Sequence, residues 1–185
     1  MSDYETYKEW KKWGPDRKLE PWQERYFALE LQRARLPKFE TVLEIGFGNG
    51  EFLQWAHKQG AVPVGLEIIP ELVEAASESG HEVHHWNLVD DDMATGPLAG
   101  RTFDCIVAFD VLEHLPVEAA QEALKRMSGL LNPGGKVILR FPNGESFLYV
   151  PTQNGDHTHR MDVCQVKLQH LCIGSGLALE RYDNA

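Results

Sequence analysis

Two short stretches of this chain concentrate the side chains that can move protons. Asp110-Val111-Leu112-Glu113-His114 sets two carboxylates and an imidazole within one turn of chain. Asn154-Gly155-Asp156-His157-Thr158-His159-Arg160 carries two more histidines. An imidazole with an ordinary pKa of about 6.5 takes up a proton near neutrality. His114 is therefore the first candidate for a general base, with His157 and His159 behind it. The plain alternative weighs the same: Glu113 and His114 only tie down the loop before Pro116 opens a helix. In the second stretch, a base or orienting role for His157, His159 and Arg160 outweighs a metal site, because an HxH pair without further placed ligands is a weak metal signal. The plain alternative there is a capped loop, with Asp156 accepting backbone amides and Arg160 pairing with a carboxylate. His57, His81, His84, His85 and His170 fall in helices or at strand edges and read as structural.

A third stretch could hold a ligand. Glu44-Ile45-Gly46-Phe47-Gly48-Asn49-Gly50 follows an apolar run directly and opens a helical pattern. Glycines let the backbone turn sharply and approach a ligand closely. A dinucleotide fingerprint would read GxGxxG, but position 51 is Glu and the third glycine comes one residue early, which argues against a nicotinamide dehydrogenase. No Lys-Ser or Lys-Thr of a phosphate loop follows. The Glu44 carboxylate is a poor neighbour for pyrophosphate and a good one for a cation. Glu67 closes the second apolar run, 21 residues beyond Gly46. A carboxylate there can accept from both hydroxyls of a ribose, and Ile68 offers an apolar face for an adenine ring.

These residues need a scaffold that gathers them. The pattern predicts strands over Val42–Ile45, Val62–Ile69, Glu82–Trp86, Phe103–Phe109, Lys136–Phe141 and Leu177–Tyr182. Helices are expected after the glycine loop, around Leu72–Ala76, over Val117–Leu131 and over Val163–Cys172. The repeat of apolar residues at 117, 120, 124, 127 and 131 is helical, and Asn132-Pro133-Gly134-Gly135 stops it. Strands alternating with helices imply an α/β/α sandwich with a mostly parallel sheet, in which ligands bind beyond the carboxyl ends of the strands. Residues 1–36 read as an N-terminal helical appendage or lid ahead of a main domain over 37–185. Its aromatics are Tyr4, Tyr7, Trp10, Trp13, Trp22, Tyr26 and Phe27, with Gly14-Pro15 as a break. Spacing places Trp22, Tyr26 and Leu29 on one helical stripe, expected to pack on the domain or to cover a cleft.

Composition sets bounds. At 185 residues and 43% hydrophobic content the chain is one domain with enough apolar mass for a core. A formal charge of −10, from 18 basic and 28 acidic residues, disfavours a nucleic-acid coat. Cys105, Cys164 and Cys172 match no zinc spacing and read as free thiols. The chain shows neither a membrane span nor a secretory leader, and a reducing cytoplasm fits best.

Taken together, VLEIGFGNG, the GLE at 65–67, FDCIVAFDVLEHL and LLNPGGKVILRFPN resemble the class I S-adenosylmethionine-dependent methyltransferases, over about residues 40–182. The resemblance implies a Rossmann-like fold with S-adenosylmethionine as cofactor and S-adenosylhomocysteine as product. It places Glu44, Gly46, Phe47, Gly48, Gly50, Glu67, Ile68, Asn87, Leu88, Phe109 and Asp110 around the cofactor. In that scheme Glu44 supports the methionine amino group, Glu67 the ribose, and Asn87, through its amide oxygen, the adenine amine. It implies methyl transfer to an oxygen or nitrogen of a small-molecule acceptor; a catalytically inactive, cofactor-binding partner subunit is the alternative. Neither the Asn-Pro-Pro-Tyr signature nor the Pro-Cys signature of nucleic-acid base methyltransferases is present. In family members that methylate quinone precursors, acidic residues and a histidine bind a divalent metal. Asp110, Glu113 and His114 could imitate that set, although the reading assigns no metal. The family's sheet usually ends with a seventh, antiparallel strand, for which no residues follow the expected sixth. A truncated chain, a strand from a partner or an open edge would each account for that.

Overall fold

The structure is a computed structural model that describes residues 18–36, 38–146 and 148–183. Tyr4, Tyr7, Trp10, Trp13 and the Gly14-Pro15 break lie outside the described residues.

Helix α1 (Pro21–Arg33) starts with proline in its first turn, and the Gln23 side chain accepts from the Glu20 amide at 2.9 Å. Both features settle amides that the first turn leaves without helical partners. Next come β1 (Thr41–Ile45), α2 (Glu51–Lys58), β2 (Val62–Glu67), α3 (Pro70–Glu78) and β3 (Glu82–His85). The second half holds β4 (Phe103–Phe109), a 3₁₀ turn (Leu112–His114), α4 (Val117–Gly129), β5 (Leu131–Arg140), α5 (Val150–Gly155) and α6 (Gln165–Cys172).

The five strands form one parallel sheet in the order β3-β2-β1-β4-β5. The winding runs outward from β1 to β3, then restarts on the other side of β1 with β4. That reversal opens a crevice between the carboxyl ends of β1 and β4, the ligand position of such sheets. Both faces of the sheet are covered. Leu43, Ile45, Ile106 and Ala108 face Ala120, Leu124 and Met127 of α4 and Leu168 and Leu171 of α6. Val42, Cys105 and Val107 point the other way, onto Phe27 and Leu31 of α1 and Phe52, Trp55 and Ala56 of α2. Alternation at period two, with both faces buried, is why β4 reads as an apolar run apart from Asp104.

Three expectations need correction. First, α1 packs mainly through Phe27 and Leu31; of the expected stripe only Tyr26 joins them, half-buried against the same cluster, while Trp22 is 64% exposed and Leu29 48%. Two stripes of similar spacing run along this helix, and the one with Phe27 meets the rings of Phe52, Trp55 and Phe109 at centroid distances of 5.2–5.9 Å. Second, Asn132–Gly135 lies within β5 as a register break: pairing jumps from Phe103–Leu131 to Cys105–Lys136, and Asn132 Nδ2 donates to Asp104 at 2.8 Å. Third, Leu177–Tyr182 forms no ladder with the sheet. Leu177, Leu179 and Tyr182 pack on the core, and the Tyr182 hydroxyl donates to Asn143 at 2.8 Å. Apolar alternation there marks contact with the core, not strand pairing.

The three cysteines are free, as expected; burial, with Asp104 beside it, pushes the Cys105 thiol up to about 12. Among the described residues, no helix is long and apolar enough to cross a membrane.

Candidate active site

The loop after β1 turns at Gly46, Gly48 and Gly50, with φ of 68°, 55° and 74°. Gly46 is also crowded, because a Cβ there would stand 2.6 Å from the Val111 side chain. A left-handed backbone and a filled side-chain position both demand glycine. The Glu67 carboxylate, 5% exposed, pins this loop from below. Its Oε2 accepts from the Gly48 amide at 3.1 Å, and its Oε1 from the Ile68 and Ile69 amides at 2.7 and 3.2 Å. Burial raises its pKa, and the three amides offset only part of that rise.

Above the β1–β4 crevice lies a cavity of about 230 Å³, lined by Glu44, Gly46, Phe47, Gly48, Phe109 and Asp110, with Trp22 and Tyr26 of α1 as one wall. Glu44 is 4% exposed, and its Oε2 has no hydrogen-bond partner among the described residues. Burial, followed by repulsion from Glu51 and Glu67, pushes the Glu44 carboxyl well above its ordinary value, against a bond from the Leu53 amide. A buried carboxylate oxygen without a donor is costly to hold empty and strongly favours a cationic hydrogen-bond donor.

Arg140 lines the same cavity and was not singled out from sequence. The guanidinium bonds Asp110 and lies 5.3 Å from the Tyr26 ring centroid and 5.1 Å from that of Phe109. A lone arginine closing the apolar run Val137-Ile138-Leu139 was the available signal. It holds α1 against the strand ends by charge and ring contact together.

The two histidine stretches meet. The Glu113 carbonyl accepts from the Arg160 and Met161 amides at 2.8 and 3.1 Å, which ties the 156–161 loop to the turn after β4. His114 Nδ1 stands 2.9 Å from Thr158 Oγ1, which donates to Asp156 Oδ1 at 2.5 Å. His159 packs edge-on against His114 with centroids 4.8 Å apart. Its Nδ1 lies 2.9 Å from Gln153 Oε1 and its Nε2 3.5 Å from Asp156 Oδ2. Glu113, 1% exposed, His114 and His159 each present a ligand-type atom within 4.8 Å of the others. Asp110 is not in that group, because its carboxylate is turned to Arg140. His157 is exposed and stands apart from the pair.

Beyond β2, Ile68 is 38% exposed, and neither it nor Glu67 nor Gly50 is among the residues that line the cavity. Asn87 is drawn into its own loop: its amide oxygen accepts from the Val89 amide at 2.9 Å, and its Nδ2 donates to Asp90 at 2.7 Å. The Leu88 side chain is buried in the core. Neither Asn87 nor Leu88 lines the cavity.

A family described as a methyltransferase domain matches residues 19–182. The chain belongs to the class I S-adenosylmethionine-dependent methyltransferases. A ubiquinone biosynthesis O-methyltransferase of Xanthomonas axonopodis pv. citri is 29% identical over 168 residues, covering 82% of this chain and 69% of that one. The curated relatives it matches are spanned over between 40 and 69% of their length. Among solved structures, a methyltransferase of Archaeoglobus fulgidus superposes with a TM-score of 0.68 at 22% identity, covering 83% of this chain and 68% of that one. Magnesium protoporphyrin IX methyltransferase of Synechocystis PCC 6803, with bound S-adenosylhomocysteine, gives 0.67 at 17% identity, covering 97% and 87%. At those identities the likeness is one of fold, and it is the family's fold.

Proposed function

We propose that this chain transfers a methyl group from S-adenosylmethionine to a hydroxyl or amine of a small-molecule acceptor. The observation that carries the proposal is the partnerless Glu44 oxygen in the cavity beside the glycine loop. A cavity with a buried, donor-hungry carboxylate fits a ligand that brings an ammonium group and rejects one that brings pyrophosphate. In this reading Glu44 holds the amino group of the cofactor's methionine end. Glu67 receives a ribose hydroxyl. A carboxylate has about four acceptor positions, and Glu67 spends three on backbone amides, so one ribose bond is expected rather than two. Ile68 covers one face of the adenine.

The cofactor, when bound, supplies a methyl on a sulfonium, to be displaced in line by the acceptor. The protein's work is orientation, exclusion of water and removal of the acceptor's proton. Phe109, Tyr26 and Trp22 wall one side of the cavity and limit the approach of water to a bound cofactor. His114, at the carboxyl end of β4, takes the proton as the acceptor oxygen or nitrogen bonds to carbon, and the carbon–sulfur bond electrons stay with sulfur. His159 faces acceptors on both ring nitrogens, which suits it to hold the loop rather than to receive a proton. A hydroxyl is the favoured acceptor, because the Xanthomonas relative is named as an O-methyltransferase of ubiquinone biosynthesis. Its proton needs a base near neutrality, as this arrangement provides.

Calorimetric titration tests the core of the proposal. S-adenosylmethionine and S-adenosylhomocysteine should both bind the wild type, and Glu44→Gln should weaken both by tenfold or more. No heat and no saturation with either compound in the wild type would refute the assignment. Release of S-adenosylhomocysteine on adding simple catechols then tests the acceptor class, with aliphatic amines as the contrasting series.

A further inference from the structure

Hydrogen-bond geometry around His114 determines more than its position. A hydroxyl has one proton to give. Thr158 Oγ1 lies 2.5 Å from Asp156 Oδ1 and 2.9 Å from His114 Nδ1. An ionised carboxylate can only accept, so the Thr158 proton belongs to Asp156. Burial alone would raise the Asp156 pKa. The Thr158 hydroxyl and amide, with the imidazoles of His159 and His114 beyond them, hold it below its ordinary value instead. With its proton committed, Thr158 Oγ1 meets His114 as an acceptor. The ring nitrogen facing it must then be the one that carries hydrogen.

We propose that Asp156 and Thr158 are positioning residues that fix neutral His114 as its Nδ1–H tautomer, which makes Nε2 the proton-accepting nitrogen. This rests on the reading of His114 as the base. Free imidazole side chains in water favour the other tautomer, with hydrogen on Nε2, so the arrangement works against the default. Asp156 is itself held. It is 5% exposed, its Oδ1 also accepts from the Thr158 amide at 3.0 Å, and its Oδ2 faces His159 Nε2 at 3.5 Å. Gln153 Oε1, 2.9 Å from His159 Nδ1, braces that ring from the far side. The hydrogen-bonded chain runs from Asp156 through Thr158 to His114, and Asp156 Oδ2 makes no hydrogen bond to His159. The two histidines differ in kind: His159 packs beside the carboxylate, and His114 receives the outcome.

The test is nitrogen-15 NMR of the histidine rings, with His114 assigned by the signals lost in His114→Gln. In the wild type at alkaline pH, His114 should show a protonated Nδ1 and an unprotonated Nε2. The reverse assignment overturns the proposal without any variant. Thr158→Val keeps the shape and removes the acceptor, so His114 should shift toward Nε2–H, while Thr158→Ser should keep the wild-type tautomer. A Val variant that retains Nδ1–H also overturns the proposal. Turnover should fall between about tenfold and a hundredfold in Thr158→Val and recover in Thr158→Ser, with the cofactor Kd held; a positioned base contributes about 10²–10⁴ in rate. A tautomer switch with unchanged turnover would support the positioning role and refute His114 as the base, so the two readings fail separately.

Discussion

Asp110 and Arg140 lock the carboxyl ends of β4 and β5 to each other twice over. The Asp110 amide donates to the Arg140 carbonyl at 2.8 Å, and the Asp110 carboxylate receives Nε at 3.1 Å and Nη2 of the same arginine. Asp110 does this from a left-handed backbone, φ 57°, next to the crevice between β1 and β4. Both side chains are 39% exposed. Solvent screening then limits the ion pair to about 1 kcal/mol or less, similar to the roughly 1–2 kcal/mol that a left-handed conformation costs an L-residue. Backbone and charge effects should therefore be separable. Asp110→Gly is expected to stay within about 1 kcal/mol of wild type, since it loses the pair but relieves the backbone. Asp110→Ala should be less stable than Asp110→Gly by about 1 kcal/mol. Urea denaturation of the two variants checks the order; equal midpoints would mean that the backbone conformation carries no cost here.

Gly46→Ala should be far more damaging than an ordinary glycine substitution. The new methyl would meet Val111 Cγ2 at 2.6 Å, on a backbone at φ 68°. Strain of about 1 kcal/mol and overpacking of about 1–3 kcal/mol add, so a loss of roughly 2–4 kcal/mol is expected, together with weaker cofactor binding. Adding Val111→Ala should restore the steric share only. Chemical denaturation of the single and double variants separates the terms, and full recovery in the double variant would count against the backbone share.

Helix α1 gives a third expectation. Phe27 is 5% exposed and stacks on Phe109 at 5.9 Å, whereas Trp22 is 64% exposed on the cavity wall. Phe27→Ala should cost about 3–5 kcal/mol, as buried phenylalanines do, and should make the α1 segment the first site of limited proteolysis. Trp22→Ala should leave stability within about 0.5 kcal/mol. Similar losses from both would show that α1 leans on its outer stripe after all.

Those contrasts also show what could be read from the chain. Phe103–Phe109 matches β4 from end to end, because a strand buried on both faces leaves an apolar run, interrupted here only by Asp104 near its start. The glycine turns after β1 were legible for a similar reason, since a left-handed backbone follows from local spacing after a strand; the three backbone amides that Glu67 accepts from were not. The buried stripe of α1 was not, since two stripes at helical spacing compete and only the partner surface chooses between them. Leu177–Tyr182 misled because apolar alternation reports contact with a core, whether or not a ladder forms. Arg140 and Thr158 act through contacts 30 and 44 residues away along the chain, and no local pattern announces such a pairing. His157 and His159 sit two residues apart, yet only His159 turns inward; a loop's direction is set by the Glu113 carbonyl it docks on.

Glu44 carries the last expectation, and its sign follows from burial. Burial raises its carboxyl well above the ordinary 4.5, so above that value the native state tends to hold a proton that the unfolded chain releases. Stability rises with pH only where the unfolded state binds more protons; here the native state binds more. The Glu44 contribution is therefore fully present below about pH 4.5 and is lost as pH climbs toward the folded value. Glu67 pushes the same way, while Asp104 and Asp156, held low by their hydrogen bonds, act oppositely in the acid range. Subtracting the Glu44→Gln curve from the wild-type curve isolates Glu44, because the other groups are common to both. The difference should fall steadily above pH 4.5 and leave the glutamine variant the more stable protein at pH 8. The same variant should bind S-adenosylmethionine about 1.5–3 kcal/mol more weakly, the range for a hydrogen bond to a charged group. Thermal melts from pH 4 to 8, with and without S-adenosylmethionine, measure both. A flat difference curve would mean that Glu44 is ionised and solvated in the folded protein, which would remove the physical basis for the ammonium assignment.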